Sequence, residues 1–349
     1  MSRLKKGIGA LFVASALLAG AFAYWAYDRY TAFAGTPLGG IEAGESLVVE
    51  RGDSLPRVLS RLRALGVGAG MDVEWQLLAR QLKAAGRIQV GEYALEPGVT
   101  TPRTLLEHMR DGKVLSYRFT LVEGWNMREL RAALAKARPL RQTIAEFDDA
   151  ALMQALGRPG LHPEGRFLPE TYVYTRQDSD LDVLRRANAD LEKALDAAWK
   201  ARAPDLPITS KEEALVLASI VEKETGIASE RPQIAGVFAR RLKLGMRLQT
   251  DPTVIYGMGS AYAGNIRKTD LLADTPYNTY TRDGLPPTPI AMAGKDALAA
   301  ATRPAAGDAL FFVAVGDGSG RHVFTRTLGE HEAAVRAYIQ RYRAQYGPK

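Results

Sequence analysis

The sequence predicts an α+β protein: an N-terminal apolar helix, then a small βα unit, then a larger mixed α/β domain. Three observations carry this. Residues 7–27 are free of charge; short strand-like runs alternate with amphipathic helical runs across Gly-containing turns; and 349 residues give room for about two domains. Apolar residues make up 46% and charged residues 24%, enough for a packed core and against wholesale disorder. The formal net charge of +7 suits an anionic surface or polymer. No dense Lys/Arg run with interleaved aromatics occurs, which sets nucleic acid aside as a partner. The absence of cysteine excludes disulfides, thiol nucleophiles and thiolate metal sites.

Arg3, Lys5 and Lys6 precede the apolar run, which at helical rise is long enough to cross a ~30 Å hydrocarbon layer. Basic residues at its front orient the N-terminus to the cytoplasm, and Tyr24, Trp25, Tyr27 and Tyr30 fit an interfacial belt at the far end. Residues 1–30 are therefore expected to be a cytoplasmic tip and single-pass transmembrane anchor, with the remaining chain exported. A cleaved signal peptide is the rival, since Ala21-Phe22-Ala23 resembles a cleavage site, but the run is long and its aromatics lie beyond that cut.

Residues 31–44, rich in Gly, Ala and Pro, read as a linker. A first domain is expected over 45–118. It has a strand at Leu47-Val48-Val49 and a helix through Val58, Leu59, Leu62 and Leu65, opened by Asp53 or Ser54 with Pro56 in its first turn. A helix over 73–82, a strand at 90–95 and a helix through Leu105, Leu106 and Met109 follow. The strand–Gly-turn–helix pattern returns at Leu121-Val122-Glu123-Gly124 and 126–130, where repetition and chance fit equally well.

The second domain is expected over 119–349. Leu184, Ala187, Leu191, Leu195 and Ala198 form one helical stripe. Near the end, 310–315 is an apolar run of strand length. A Gly-rich turn at 316–320 joins it to Val323-Phe324-Thr325 in a hairpin, and the run suits a strand buried on both faces.

Chemistry concentrates between these elements. Ser210 and Glu213 have capping-box spacing and open a helix whose body, 214–221, is almost wholly apolar and therefore buried. Glu222 and Glu224 fall in its last turn, where the helix dipole opposes a carboxylate. Glu224 also prolongs the apolar face of Leu217, Ile220 and Val221. Both effects raise a carboxyl pKa, as a general acid near neutral pH requires. The spacing alone equally fits a solvated helix end with its charges paired to Lys223 or Arg231. A further helix carries Ile234, Val237, Phe238, Arg241 and Leu242. The polar segment 247–257 after it has groups suited to sugar hydroxyls, with Tyr256 suited to stack on a sugar face, yet such a mixture also describes an ordinary loop.

Longer motifs sharpen this reading. Ala218-Ser219-Ile220-Val221-Glu222-Lys223-Glu224-Thr225, the run from Gly245 through Gln249-Thr250-Asp251-Pro252-Thr253 to Tyr256-Gly257, and Tyr277-Asn278-Thr279-Tyr280 with Gly284-Leu285-Pro286-Pro287 resemble the MltG (YceG-like) endolytic murein transglycosylases. Pro163-Glu164-Gly165-Arg166-Phe167-Leu168-Pro169-Glu170-Thr171-Tyr172 is similar to another block of that family, with Glu170 in place of the more usual Asp and Arg166 where an aromatic is common. The C-terminal hairpin with His322, Phe324 and Thr325 also resembles the family pattern.

The resemblance implies that Glu224 is the catalytic acid/base and that 45–118 is a LysM-like domain able to touch glycan. It implies a peptidoglycan lytic transglycosylase without cofactor or metal, which ends the elongation of nascent strands and has cell-wall synthases as candidate partners. Gln249, Asp251, Thr253, Tyr256, Asn278 and Tyr280, together with Glu164 and Glu222, become candidates for holding sugars, or else for bracing the loops. A hydrolytic muramidase is the nearest rival and would need a second carboxylate, with Glu164, Glu170, Asp251 and Glu222 available. A non-catalytic wall-binding scaffold is another, disfavoured by the intact Glu-Lys-Glu-Thr motif. His108, His162 and His331 read as surface or packing residues, and His322 stays ambiguous.

Overall fold

The computed structural model describes residues 2–347, so Met1, at the tip of the expected anchor, and Pro348 and Lys349 lie outside the described residues. The side chains of Arg3, Lys5 and Lys6, on which the expected orientation rests, lie outside them too. The chain divides into two compact units. One comprises residues up to Tyr117 together with Thr175–Gln177; the other comprises Arg118–Tyr174 and everything from Asp178 on.

The first unit begins with α1, Ser2–Gly35, unbroken by proline and ending just before Thr36-Pro37. Its Leu11–Gly35 part is long and apolar enough to cross a membrane, the one helix of that kind among the described residues. The stretch expected to be a linker begins as helix: α1 continues to Gly35, and Ala34 and Leu38 are buried in the unit's core. Phe33 meets the edge of Trp75 at 5.4 Å and Arg29 pairs with Glu74 at 3.0 Å. Small Gly and Ala residues here serve close packing as well as turns.

After α1 come β1 (Ser46–Val49), α2 (Leu55–Ala64), α3 (Asp72–Gln81), β2 (Gly91–Ala94) and α4 (Pro102–Asp111). The strands are antiparallel with Leu47 opposite Tyr93, both fully buried. Ser54 occupies the N-cap position of α2 without a side-chain bond, while Asp53 turns back to accept from Glu50 N at 2.7 Å. Arg176, from the short returning segment, pairs with buried Glu92 at 2.9 Å.

The second unit is mostly helical. Its elements are β3 (Tyr117–Thr120, whose first residue counts with the other unit), α5 (Met127–Lys136), α6 (Asp149–Ala155), β4 (Thr171–Tyr174) and α7 (Asp180–Lys200). Then follow α8 (Lys211–Glu224), α9 (Arg231–Lys243), α10 (Asp251–Met258), α11 (Lys268–Leu272) and α12 (Lys295–Thr302). β5 (Phe311–Ala314), β6 (His322–Thr325) and α13 (Leu328–Tyr346) end it. The strands form two-stranded ribbons, β3 with β4 and β5 antiparallel to β6.

The centre of this unit is α8. Every residue from Ala214 to Glu222 is buried, packed by α7, α9 and α12. Truncating one such side chain, Leu217→Ala for example, removes about 2–5 kcal/mol of stability. The expected strand buried on both faces is corrected here: β5 has a single partner and all its residues are half-buried. The polar segment whose composition also fits an ordinary loop is helical in part: Asp251 to Met258 is helix α10, with Pro252 in its first turn.

Candidate active site

The body of α8 fixes where its last residue emerges. Glu224 ends the helix, and Thr225 beyond it is extended, so the carboxyl leaves the core at a helix C-terminus. It opens into a cavity of about 500 Å³ lined on one side by Arg241, Leu248, Gln249, Thr250, Asp251 and Tyr280. The hairpin residues Phe311, Phe312 and Val313 and the α13 residues Leu328, His331 and Val335 form its other side.

Glu224 is half-buried, and the surrounding protein desolvates its carboxyl. That effect, with a smaller push from Asp251, raises its pKa to about 7 against the opposing hydrogen bond from Thr250. The helix terminus acts in the same direction as burial. At neutral pH the group is therefore divided between acid and base forms. Thr250 Oγ donates to Glu224 Oε1. Thr250 is itself 2% exposed, its N–H donating to Thr279 Oγ at 3.0 Å.

The preceding residue, Gln249, sits at φ 51, a left-handed backbone that is costly for a non-glycine residue and characteristic of functional sites. Its Oε1 accepts from Arg241 at 3.3 Å. Asp251 is exposed at the cavity rim and accepts from Tyr280 Oη at 2.6 Å. The structure thus brings Glu224, Gln249, Asp251 and Tyr280 together.

It places the remaining candidates elsewhere. Thr253 is fully buried and donates to Thr250 O at 2.7 Å, bracing the first turn of α10. Asn278, also fully buried, donates to the carbonyls of Leu271 (3.1 Å) and Ala273 (2.7 Å) and accepts from Tyr280 N (2.9 Å). Glu222 points into a buried ion pair with Arg231 at 2.8 Å and accepts from Gly294 N at 2.9 Å. Burial pushes its pKa up, while the Gly294 N–H and Arg231 pull it back.

Glu164 and Tyr256 line a separate cavity of about 930 Å³, to which Lys223 and Tyr277 also contribute. Glu164 is 3% exposed, and its oxygens accept from Met127 N at the start of α5 (3.1 Å), Gly165 N (3.3 Å) and Tyr256 Oη (3.1 Å). Burial nevertheless raises its pKa to about 7. Glu170 is ion-paired with Lys295. His322 Nδ1 lies 2.8 Å from Glu230, outside the Glu224 cavity. A larger cavity, about 1050 Å³, lies along α7 and α12 and is lined by Ala194, Ala197 and Ala198 with scattered charges. Among the described residues no group of three or more His, Asp or Glu side chains is placed to hold a metal ion.

Three cavity residues escaped the sequence reading. Thr250 stands in the same motif as the candidates Gln249 and Asp251, directly between them. Arg241 passed as one position of an amphipathic stripe, and His331 as a packing residue. For Thr250 its neighbours were the signal. Arg241 is near in sequence but indistinguishable from its stripe, and His331, more than a hundred residues beyond Glu224, carries no local signal.

A helical unit whose central buried helix delivers a glutamate to a cavity it shares with Asp251, Gln249 and Tyr280 has the form of a candidate acid/base site. Residues 47–337 match the YceG-like family, and the chain belongs to it. It is 33% identical over 273 residues to the endolytic murein transglycosylase of Bacillus subtilis (strain 168), covering 74% of this chain and 75% of that protein. The endolytic murein transglycosylase of Streptococcus pneumoniae is 31% identical over 156 residues, covering 43% of this chain and 28% of its own. The crystal structure of a yceG-like protein from Listeria monocytogenes superposes with a TM-score of 0.50 at 26% identity, covering 83% of this chain and 98% of that one.

Proposed function

We propose that this chain is an endolytic peptidoglycan lytic transglycosylase, a lyase that cuts the MurNAc–GlcNAc β-1,4 bond within glycan strands. The observation that carries this is the Glu224 carboxyl at the end of buried helix α8, opening into a cavity it shares with Gln249, Asp251 and Tyr280, where burial raises its pKa to about 7. Membership of a family whose relatives bear that activity in their names supports it.

In the first step Glu224, as the acid, protonates the glycosidic oxygen as its bond to MurNAc C1 breaks. The C6 hydroxyl of the same MurNAc attacks C1, and the Glu224 carboxylate takes its proton. The carboxyl ends as it began, no water is consumed, and the product is a 1,6-anhydroMurNAc end. Intramolecular attack supplies the entropic advantage that a separate nucleophile would need from positioning. Gln249, Asp251 and Tyr280 hold the sugars beside Glu224. Glu164 and Tyr256 serve a neighbouring stretch of glycan, and Thr253, Asn278 and Glu222 act by holding the site's frame.

Around this centre the reading extends to an inner-membrane anchor formed by α1 with a cytoplasmic N-terminus and a periplasmic catalytic unit. Residues 45–118 are a LysM-like glycan-binding module, supported by the β1–α2–α3–β2 order. The enzyme ends elongation of nascent strands beside cell-wall synthases.

Asp251, a carboxylate at the same cavity, favours one alternative, a hydrolytic muramidase in which it activates water. Digestion in heavy-oxygen water separates the two. Transglycosylation leaves the new muramyl ends unlabelled and one water lighter; labelled reducing MurNAc ends as primary products would establish hydrolysis.

A further inference from the structure

The second unit contains two deeply buried arginines with opposite surroundings. Arg231, 7% exposed, lies within 4 Å of three carboxylates: Glu222 at 2.8 Å, Glu123 at 3.0 Å and Asp296 at 3.6 Å. Arg241 is equally buried, 7% exposed, and among the described residues no carboxylate pairs with it. Its partners are neutral oxygens: Leu310 O (2.7 Å), Leu248 O (2.9 Å), Arg247 O (3.1 Å) and Gln249 Oε1 (3.3 Å). These occupy Nε and Nη1 only. The guanidinium lies over the Phe311 ring at 5.0 Å and lines the Glu224 cavity. Burying a cation without a counter-ion is costly, and the cost falls when an anion arrives.

A second observation comes from α13. His331 stacks on the opposite partner of that arrangement, Phe311, at 5.2 Å and 22°, and lines the same cavity. Its Nδ1 is buried without any hydrogen-bond partner. Burial, and after it the Arg241 charge, lowers its pKa, so the ring is neutral. An unpaired buried N–H is costlier than an unpaired acceptor, so the proton belongs on Nε2. His331 therefore offers one N–H donor beside an Arg241 whose Nη2 is uncommitted.

We propose that Arg241 and His331 form a carboxylate-binding subsite of the Glu224 cavity, which takes a carboxylate carried by the glycan substrate. This rests on the glycan-cleaving reading above. Two sources carry that chemistry in peptidoglycan: the lactyl group of a peptide-free muramic acid, and the stem peptide. Gripping it fixes the register of the strand, so that one kind of sugar presents its C1 to Glu224.

The test uses full-length protein and three preparations: peptide-free strands, the same strands with lactyl carboxylates converted to carboxamides, and strands bearing stem peptides. KM is expected to rise roughly tenfold or more when the recognised carboxylate is lost, the scale of a charge-assisted hydrogen bond, with a smaller change in kcat. A rise on amidating peptide-free strands identifies the lactyl carboxylate. A low KM confined to peptide-bearing strands identifies the stem. His331→Phe, which preserves stacking on Phe311, and Arg241→Lys, which keeps the charge but not the fork, are expected to shrink the difference, with thermal melts showing both variants folded. Equal KM for all three preparations, or the wild-type difference retained in both variants, overturns the subsite. Failure of the glycan-cleaving reading looks different. No preparation would then be cleaved, while binding of N-acetylmuramate in preference to N-acetylglucosamine, read by calorimetry, would still report on the subsite.

Discussion

Thr250 stands at the N-cap of α10, yet its hydroxyl accepts no hydrogen bond from that helix and instead donates to Glu224. An N-cap hydroxyl ordinarily satisfies an orphan N–H at a gain of about 1 kcal/mol. Here that contact is given up, and the hydroxyl instead favours the ionised form of a carboxyl that burial and Asp251 hold protonated. The pKa near 7 is a balance among named neighbours, which makes it adjustable.

The pH dependence of cleavage should follow this balance. Glu224 must start protonated, so kcat/KM falls as pH rises through about 7. Thr250→Val removes the bond that lowers the pKa and moves the falling limb to higher pH. Asp251→Asn removes a charge that raises it and moves the limb lower. Shifts in the opposite directions would mean that the limb belongs to another group.

Stability should carry the same signature. A folded-state pKa raised from 4.5 to about 7 gives stability that is complete below the unfolded value and lost as pH rises through the folded one. Glu224→Gln is not subject to that loss. Its melting temperature should match the wild type near the lower value and exceed it by several degrees above the upper one, roughly 2–4 °C per kcal/mol. A constant difference across pH would show that folding leaves the Glu224 pKa unshifted.

Three glutamine variants should separate chemistry from framework. Glu224→Gln is expected to reduce glycan cleavage by about 10²–10⁴-fold, because it can neither give nor recover a proton. Glu222→Gln weakens the buried pair with Arg231 and should cost up to about 3–5 kcal/mol in denaturant unfolding, with much of the turnover per folded molecule retained. Glu164→Gln should lower kcat/KM by less than tenfold, acting on KM, since its carboxyl faces a separate cavity. Equal losses at all three positions would sink the assignment of one acid/base.

Asn278→Ala should be destabilising. It removes the donor to the Leu271 and Ala273 carbonyls and the acceptor of the Tyr280 N–H in a half-buried loop, a loss of roughly 1–3 kcal/mol. Chemical denaturation measures the loss. Activity should fall with it as Tyr280 loses its position, and an unchanged midpoint would place Asn278 in substrate binding after all.

The anchor is checked by fractionation. Full-length protein should stay in membranes through high-salt and alkaline washes with residues 7–27 attached. Recovery of a soluble chain starting near Tyr24 would identify a signal peptide.

Helices were legible where one residue pattern had one explanation. The apolar body of α8 could only be buried, and a glutamate at its end could only emerge at a dipole terminus. What stayed hidden depended on distant contacts. Thr253, Tyr280 and Asn278 are all polar residues suited to a sugar, and only packing shows that Thr253 and Asn278 turn inward. Helix α10 is ambiguous in the sequence because its opening, Asp-Pro-Thr, also suits a turn. His331 comes to the cavity from more than a hundred residues beyond Glu224, and nothing in its own neighbourhood announces that.

The end of α1 has a mechanical consequence. Where a supple leash would let the first unit wander, Phe33, Ala34 and Leu38 clamp the helix into that unit's core. At 1.5 Å per residue Leu11–Gly35 measures about 37 Å, so with its last turn packed into the unit the rest still matches a hydrocarbon layer of about 30 Å. With that helix set in a bilayer, it is a mast: the first unit keeps a fixed height and tilt above the lipid and explores its surroundings only by gliding and spinning in the plane.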